Sequence, residues 1–210
     1  MIWGPGKLLF IHIAEQASSN MKELKEATLV EGKGIIGDRY YNKTGKYSNI
    51  PDIRDVTIIE NEVLIALKEN QPPLQKDKII LKPNEHRRNL TSQGVPLNYL
   101  VGKRIQIGEV ILEGGRLNFP CKYLSDLLNK PLLLPLYNRS GLNCKIIKGG
   151  KIRVNDEIKP VNTYGQTKAI VEKLLFDLYY ESSKRFRIAI LRYFNPVGAH
   201  NSGNFGTVFF

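Results

Sequence analysis

Short apolar runs, separated by turns rich in glycine and polar residues, make up the first 160 residues of the chain. Residues 8–14, 56–59 and 79–81 have the composition of buried strands, and residues 104–113 alternate as a half-buried strand does. Residues 60–69 place apolar side chains on one face and predict a short helix. Many short strands with few helices favour a mainly β fold, closed or nearly closed, that ends at about Pro160.

Glycine pairs predict two of the turns. Gly114 and Gly115 are expected to turn the chain out of the strand at residues 104–113. Residues 139–158 are expected to form a β-hairpin that turns at two adjacent glycines, followed by a short closing strand. Cys144 falls inside this hairpin and is expected to be a core residue.

The hydrophobic pattern changes after Pro160. Residues 167–180 carry the strongest helical stripe of the chain, and residues 187–193 form the continuous apolar run of a buried parallel strand. These two elements make a helix-strand fragment of an α/β fold with no further strands to join. We therefore divide the chain into a β domain at residues 1–159 and an incomplete fragment at residues 160–210.

The charge balance points to an anionic partner. Lys and Arg number 31 against 20 Asp and Glu, a net charge of +11. This excess suits a phosphate-bearing cofactor or a nucleic acid, and without interleaved aromatic and basic residues the nucleic acid ranks last. The sequence has no signal-peptide pattern and no apolar run long enough for a membrane span, so we expect a soluble, cytoplasmic protein with reduced thiols.

Cys121 is the candidate reactive residue. Pro120 suits the opening of a helix, and leucines follow at helical spacing from Leu124, so Cys121 is expected in a first helical turn. Unpaired backbone N–H groups there, together with the ammonium group of Lys122, favour the thiolate over the thiol. A thiolate acts as a nucleophile, a sulfur carrier or a metal ligand. The alternative is a half-buried cysteine that only packs.

Three arginines are the candidate anion ligands. Arg87 and Arg88 precede Asn89 beside a strand, and strand alternation predicts that Arg87 and Asn89 act together while Arg88 faces the other side. Guanidinium groups suit phosphate or carboxylate oxygens, although an arginine pair is often only a solvated face. Asp38 and Arg39 are expected at the edge of a glycine-rich turn, and the alternative is a loop that holds only a local ion pair. His12, inside the first strand, is expected to be a core histidine with its hydrogen bonds satisfied.

Six short motifs fall in the order seen in MOSC domains, a family named for the C-terminal domain of molybdenum cofactor sulfurase. They are Gly-Ile-Ile-Gly-Asp-Arg-Tyr at 34–40, Val-Thr-Ile-Ile-Glu at 56–60, Arg-Arg-Asn-Leu-Thr at 87–91, Leu-Val-Gly-Lys-Arg-Ile-Gln-Ile-Gly at 100–108, Pro-Cys at 120–121 and Arg-Ser-Gly-Leu at 139–142. Residues 8–159 therefore resemble this family. The resemblance implies a MOSC-type β-barrel with a few short helices, and a cysteine that holds a persulfide or ligates the molybdenum of the pterin cofactor.

Carried onto this chain, the resemblance makes Cys121 the catalytic and metal-ligating cysteine, at the mouth of the barrel. The residues implied to line the pterin phosphate and the metal are Arg39, Arg87, Arg88, Asn89, Thr91, Arg139 and Ser140. The implied function is sulfur transfer or molybdenum-dependent reduction of N-hydroxylated compounds, with a non-enzymatic cofactor carrier as the alternative. Because no pyridoxal-phosphate lysine is marked, sulfur would come from a donor protein such as a cysteine desulfurase, and reduction would need an electron-donor protein.

A second resemblance begins at about Pro160. Asn-Thr-Tyr-Gly-Gln-Thr-Lys at 162–168 and Leu-Arg-Tyr-Phe-Asn-Pro-Val-Gly-Ala-His-Asn-Ser-Gly at 191–203 resemble the middle of UDP-glucose 4-epimerase, an extended short-chain dehydrogenase. On this resemblance Tyr164 and Lys168 match a proton-abstracting pair, and Asn195 matches a sugar-nucleotide contact. The glycine-rich nucleotide fingerprint is missing, so we expect neither NAD binding nor epimerase activity.

Overall fold

The computed structural model describes residues 5–161, 171, 174–181 and 187–188. Its contacts divide the chain into two units, Met1–Val161 and Asn162–Phe210. The described part of the first unit holds eleven strands, two α-helices and one 3₁₀ turn, so the fold is mainly β as predicted.

The strands and helices of the first unit are short. The strands are β1 (Gly6–Ile13), β2 (Lys22–Leu24), β3 (Glu26–Val30), β4 (Gly34–Ile35), β5 (Val56–Glu60), β6 (Leu90–Gln93), β7 (Arg104–Ile107), β8 (Val110–Leu117), β9 (Leu142–Lys148), β10 (Gly150–Arg153) and β11 (Glu157–Pro160). The helices are α1 (Asn61–Glu69) and α2 (Lys122–Leu128), and the 3₁₀ turn is Leu97–Tyr99.

Seven strands close into a barrel in the order β1, β11, β7, β8, β9, β5 and β6, with β6 pairing back to β1. Closure depends on β11, because Ile158 lies opposite Gly6 of β1 on one side and Ile107 of β7 on the other. The pair β5 and β6 is parallel. Strands β10, β3 and β4 form a separate small sheet, and β2 extends the barrel sheet beside β1. The predicted barrel and its closing strand are confirmed.

Two hydrophobic clusters lie on opposite sides of strand β5. Val56 and Ile58 belong to the cluster that fills the barrel. Ile59 belongs to a second cluster, with apolar residues of α1 and with Leu124 of α2, and Cys121 packs against its edge. Because neighbouring strand residues face opposite sides of a sheet, the second cluster lies on the outer surface of the barrel wall. It attaches both helices to that surface.

Several of the predicted strands and turns are wrong. Residues 104–113 are not one strand, because β7 and β8 are antiparallel neighbours that turn at Gly108, where φ is 52°. Gly114 and Gly115 lie within β8 and do not turn the chain. A Cβ on Gly114 would lie 2.2 Å from the carbonyl oxygen of Leu100, so this glycine permits a close backbone approach.

The predicted hairpin at residues 139–158 is also absent. Strand β9 pairs with β5 and β8 in the barrel, whereas β10 pairs with β3 in the small sheet. Gly149 and Gly150 therefore carry the chain from one sheet to the other. Cys144 is buried in β9 as predicted, and burial raises the pKa of its thiol to about 12. Residues 79–81 form no strand, although Ile79 and Leu81 are buried in the second cluster.

In the second unit the described residues 171 and 174–181 are helical, in agreement with the predicted helix. Residues 187–188 have no regular structure, and the remainder of the predicted strand lies outside the described residues, as do Tyr164, Lys168 and Asn195. None of the helices among the described residues has the length and apolar character needed to cross a membrane.

The side chains of His12 and His86 are both buried and lie beside each other. The ring centroids of His12 and His86 are 6.2 Å apart, edge to face. His86 is satisfied, because Nε2 lies 2.9 Å from Oγ1 of Thr91 and Nδ1 accepts the backbone N–H of Arg88. His12 is buried as predicted, but neither of its ring nitrogens makes a hydrogen bond. A Glu23 carboxylate oxygen lies 3.8 Å from its Nε2.

These histidines predict a fold that weakens in mild acid. Burial lowers the pKa of His12 from 6.5, and burial together with the charge of Arg88 lowers the pKa of His86 further. The unfolded chain therefore binds more protons below pH 6.5, and the free energy of unfolding falls as the pH drops, by up to about 1.4 kcal/mol per pH unit for each histidine. Urea unfolding from about pH 7 to about pH 5 measures this slope.

The matched variant is His12→Phe, which removes one titrating ring and breaks no hydrogen bond of that ring. Its unfolding free energy should depend on pH less steeply than that of the parent, with the contribution of His86 remaining. An unfolding free energy that does not change over this pH range in the parent protein would contradict the prediction.

Gly141 predicts a second stability effect. Its φ is 94°, and a Cβ there would lie 2.2 Å from the carbonyl oxygen of Ile58. Gly141→Ala should lower the free energy of unfolding by about 3 kcal/mol or more, because strain adds to a backbone clash. Gly102→Ala is the control, since Gly102 has a φ of 71° but nothing within 4 Å, and about 1 to 2 kcal/mol is expected. Equal losses in the two variants would contradict the prediction.

Candidate functional site

A pocket of about 280 Å³ lies on the outer surface of the barrel wall. Its floor includes Thr57 of β5, Asn143 of β9 and Arg116 of β8, which form one row because Asn143 lies opposite the other two. Leu142 and Cys144, which flank Asn143, face the barrel core, so Asn143 points away from that core. The pocket therefore lies on the wall and not at the mouth of the barrel, where the sequence had suggested it.

The pocket is strongly basic. Two chain segments cover it, one at residues 39–54 and one at residues 118–124, and three tyrosines contribute to its walls. No Asp or Glu is among its lining residues. The six cationic side chains that line it are Arg39, Lys46, Arg54, Arg87, Arg88 and Arg116. An excess of cations in a concave site attracts anions.

Cys121 lines this pocket and is half-buried. It precedes helix α2 as its N-cap residue, with an extended backbone at φ −132° and ψ 152°, so it does not lie in the first turn as predicted. Pro120 consequently lies outside the helix. The ammonium group of Lys122 makes an ion pair with Asp126 at 2.8 Å, and Lys122 is not among the lining residues. The cations near Cys121 come from other segments of the chain.

Arg88 is a buried cation, only 6% exposed, with no carboxylate partner in the part of the chain that the structure describes. Three of its five N–H groups donate to the carbonyl oxygens of Ser140 and His86 and to Oγ of Ser140. Burial lowers the pKa of Arg88 to about 10, so it remains charged at neutral pH, and the negative charge of a Cys121 thiolate acts in the opposite direction. A buried charge is costly unless an opposite charge accompanies it.

Arg39 and Arg87 lie beside Arg88. Arg39 makes an ion pair with Asp38, at 2.9 Å, and also donates to the carbonyl oxygen of Arg87 at 2.7 Å. Arg87 has a left-handed backbone with φ of 63°, and it precedes β6. Strand alternation therefore does not apply here. Arg87 and Arg88 both line the pocket, while Asn89 lies behind it, which corrects the predicted pairing of Arg87 with Asn89.

Of the other residues that the sequence proposed, three lie behind the pocket and one lies apart from it. Asn89 accepts hydrogen bonds from the Thr57 N–H and hydroxyl at 3.2 and 2.9 Å, Thr91 bonds His86, and Ser140 holds Arg88. Arg139 does not line the pocket, because its guanidinium group donates to the carbonyl oxygens of Pro135 and Gln71. Whether these residues bind a cofactor stays a prediction.

The sequence analysis missed several residues of the site. Asp52 accepts from both Arg54 and Arg116 and thereby joins the covering segment at residues 39–54 to the floor, and its pKa is lowered, chiefly by the hydrogen bond from Arg116. Burial raises the pKa of Tyr47, and a hydrogen bond to Cys121 raises it further. The loop around residues 47–54 offers no motif that marks it. Asn143 was detectable in principle, as a polar residue between two apolar ones in a strand.

The residues present fit an anionic cofactor that carries a metal. No group of three or more His, Cys, Asp or Glu side chains clusters as a metal site within the described residues. Cys121 is thus the one soft donor lining the pocket, and a metal there would take its other ligands from the cofactor itself. The cations suit a phosphate, and Nδ2 of Asn143 is buried on the floor without a hydrogen-bond partner.

The curated proteins that the chain matches include UDP-glucose 4-epimerases, over 49 to 110 residues. The chain is 55% identical over 47 residues to the bifunctional protein GAL10 of Kluyveromyces lactis, which covers 22% of this chain and 7% of that protein. It is 51% identical over 49 residues to UDP-glucose 4-epimerase 4 of Oryza sativa, covering 23% and 13%. The UDP-glucose 4-epimerase of Pasteurella multocida is 34% identical over 110 residues, covering 52% and 28%. The chain spans 7 to 28% of the length of these relatives.

The matched solved structures cover about three quarters of this chain, which is about the share that the barrel unit occupies. The YUAD protein from Bacillus subtilis has a TM-score of 0.60 at 20% identity, covering 75% of this chain and 97% of that one. YiiM from Geobacillus stearothermophilus has a TM-score of 0.57 at 12% identity, covering 75% and 76%. At these identities the likeness concerns the fold alone.

A family model decides the assignment. The MOSC domain model matches residues 49–159, which is more than half of the 210 residues and includes Cys121, Arg88 and the row of Thr57, Asn143 and Arg116. The motif at residues 34–40 lies before the matched range, although the pocket residue Arg39 belongs to it. The chain therefore belongs to the MOSC domain family.

Proposed function

We propose that this chain binds the molybdenum cofactor in the pocket at Cys121 and that the Cys121 sulfur takes part in sulfur or oxygen transfer there. The observation that carries the proposal is one soft sulfur donor in a pocket lined by six cations and by no carboxylate. Thiolates suit molybdenum and sulfane sulfur, and guanidinium groups suit the phosphate of the pterin.

The ion pairs indicate which cations remain for the phosphate. Arg39 is paired with Asp38, and Arg54 and Arg116 share Asp52. The other three lining cations, Lys46, Arg87 and Arg88, have no ion pair to a carboxylate within the described residues, so they would bind the anionic groups of the cofactor, its phosphate included. Arg39 acts indirectly, because its bond to the carbonyl oxygen of Arg87 fixes the backbone that presents Arg87.

The residues around Cys121 would position its sulfur and keep water from it. Tyr47 lines the pocket together with Cys121, and the Tyr47 ring packs edge to face on Tyr123 at 6.4 Å. Arg54 fixes Tyr47 through the carbonyl oxygen of that residue, at 3.1 Å. When bound, the cofactor would supply a metal centre able to exchange an oxygen or sulfur atom. This chain would supply the thiolate, the phosphate ligands and the aromatic enclosure.

Two reactions are compatible with this site. In sulfur transfer, the Cys121 thiolate attacks the outer sulfur of a persulfide on a donor such as a cysteine desulfurase, a new S–S bond forms on Cys121, and the donor leaves as a thiolate. In reduction, an N-hydroxylated compound takes up two electrons and two protons and releases water, with the electrons coming from a donor protein. Either reaction requires a partner that delivers sulfur or electrons.

The first test is metal retention. Chain purified from a molybdate-replete host should contain molybdenum and pterin, and Cys121→Ser should retain at least about tenfold less metal because it removes the protein ligand. The control is Cys144→Ala, since Cys144 faces the barrel core and does not line the pocket. Elemental analysis measures the outcome. Equal molybdenum in Cys121→Ser and Cys144→Ala, or none in the parent chain, would refute the proposal.

The second test separates an enzyme from a carrier. Supplied with a chemical electron donor, the loaded chain should reduce an amidoxime, and Cys121→Ser should lose this activity while its circular dichroism stays unchanged. Cofactor without turnover, but with a persulfide on Cys121 detected by mass spectrometry after incubation with a cysteine desulfurase, indicates the sulfur-transfer reaction. Bound cofactor with neither result indicates a non-enzymatic carrier and contradicts the transfer role.

A further inference from the structure

Asn143 carries a buried hydrogen-bond donor without an acceptor. Its side chain has no exposed surface and lines the floor of the pocket. Its Oδ1 accepts from Nδ2 of Asn118 at 2.6 Å, whereas its own Nδ2 has no partner. Leaving such a donor unsatisfied costs about 1 to 3 kcal/mol. An acceptor atom of a bound ligand would remove this penalty.

The neighbouring floor residue Thr57 makes no hydrogen bond to that donor. Its hydroxyl donates to Oδ1 of Asn89 at 2.9 Å and accepts the Asn89 N–H at 3.1 Å. Asn89 is held in turn by the carbonyl oxygen of His12, to which its Nδ2 donates at 3.3 Å. The hydroxyl of Thr57 is therefore bonded to the wall, and Nδ2 of Asn143 has no partner among the described residues.

Arg88 supplies a second set of unused donors in the same pocket. Its three assigned hydrogen bonds leave two N–H groups, and its charge has no carboxylate partner within the described residues. Arg88 precedes strand β6, whereas Asn143 lies in strand β9, and both line the pocket with Cys121. A ligand that meets both needs must carry a negative charge on an atom that accepts hydrogen bonds.

We propose that Asn143 and Arg88 form an oxyanion subsite beside Cys121, which binds a terminal, negatively charged oxygen atom. The subsite rests on the pocket proposed above as the functional site, but it does not depend on a molybdenum cofactor. It assigns the ligand class at the floor: a tetrahedral oxyanion or a group that ends in a charged oxygen. A cation is disfavoured, because no carboxylate lines the pocket.

The test uses the full chain without cofactor and sulfate as the probe. Sulfate replaces chloride at constant ionic strength, which separates specific binding from general screening. The side-chain NH₂ signals of Asn143, assigned by their loss in Asn143→Leu, should shift saturably with sulfate. Sulfate should also slow the alkylation of Cys121 by iodoacetamide, because both occupy one pocket. Sulfate shifts confined to surface Lys and Arg signals, with no change at Asn143, would overturn the proposal.

Asn143→Asp places a negative charge beside the proposed oxyanion. The variant replaces the amide donor by a carboxylate and should bind sulfate at least about tenfold more weakly. Asn98→Asp is the matched control, because it makes the same substitution at an exposed residue that does not line the pocket, and its affinity should equal that of the parent. Unchanged affinity in Asn143→Asp would refute the subsite, because a carboxylate beside a bound anion weakens the binding whichever way the side chain is turned.

The two proposals fail in different ways. Should Asn143→Asp not fold, the amide signals of the parent chain still decide the question. Sulfate binding at Asn143 in a chain that never retains molybdenum would refute the cofactor and leave the oxyanion subsite standing. Molybdenum retention lost in Cys121→Ser, with no sulfate effect on Asn143 in the parent chain, would refute the subsite alone.

Discussion

The unpaired charge of Arg88 is the constraint on which the pocket depends. A guanidinium group with 6% exposure would ordinarily be accompanied by a carboxylate, yet the described residues provide only carbonyl and hydroxyl oxygens. Those oxygens satisfy part of its hydrogen bonding and none of its charge. The remaining charge is available to an anionic ligand, and Cys121 lines the same pocket. Arg88 and Cys121 are therefore best understood as one functional unit.

This unit is held by the fold from several directions. His86 accepts the backbone N–H of Arg88, Ser140 holds its guanidinium group, and Thr91 holds His86. Arg39, which is paired with Asp38, adds a second buried cation close by. Residues that do not line the pocket thus keep several positive groups together against their mutual repulsion. Such an arrangement is unfavourable for stability alone and favourable for binding an anion.

Much of the fold followed from the sequence, because it depends on local periodicity. The strands β1 and β5, the helix α1 and the closing strand β11 all appear where apolar spacing predicted them. The pairing of strands was less accessible. Glycines at residues 114–115 and 149–150 were taken as turns, whereas they permit close backbone approach and a passage between two sheets. Residue types alone do not distinguish these uses of glycine.

The candidate site, like the fold, was predicted only in part from the sequence. Cys121, Arg39, Arg87 and Arg88 were found because their residue types carry their chemistry and their motifs resemble a family. Their arrangement was not found, since the left-handed backbone of Arg87 reverses the facing that alternation predicted. The row of Thr57, Asn143 and Arg116 was missed because it crosses three strands that are far apart in the sequence. Contacts of this kind exist only once the barrel has closed.

The pocket has a floor of hydrogen-bonded strands and covers of irregular chain. The floor residues lie on β5, β8 and β9, which are tied to each other by barrel pairing, whereas residues 39–54 and 118–121 contain no strand or helix. Irregular segments rearrange at lower free energy than paired strands. The paired strands therefore fix the shape of the floor, whereas the shape of the cover depends on side-chain contacts such as that of Asp52 with Arg116. Substitutions in the cover can thus alter the outline of the pocket without disturbing the strand pairing of the barrel.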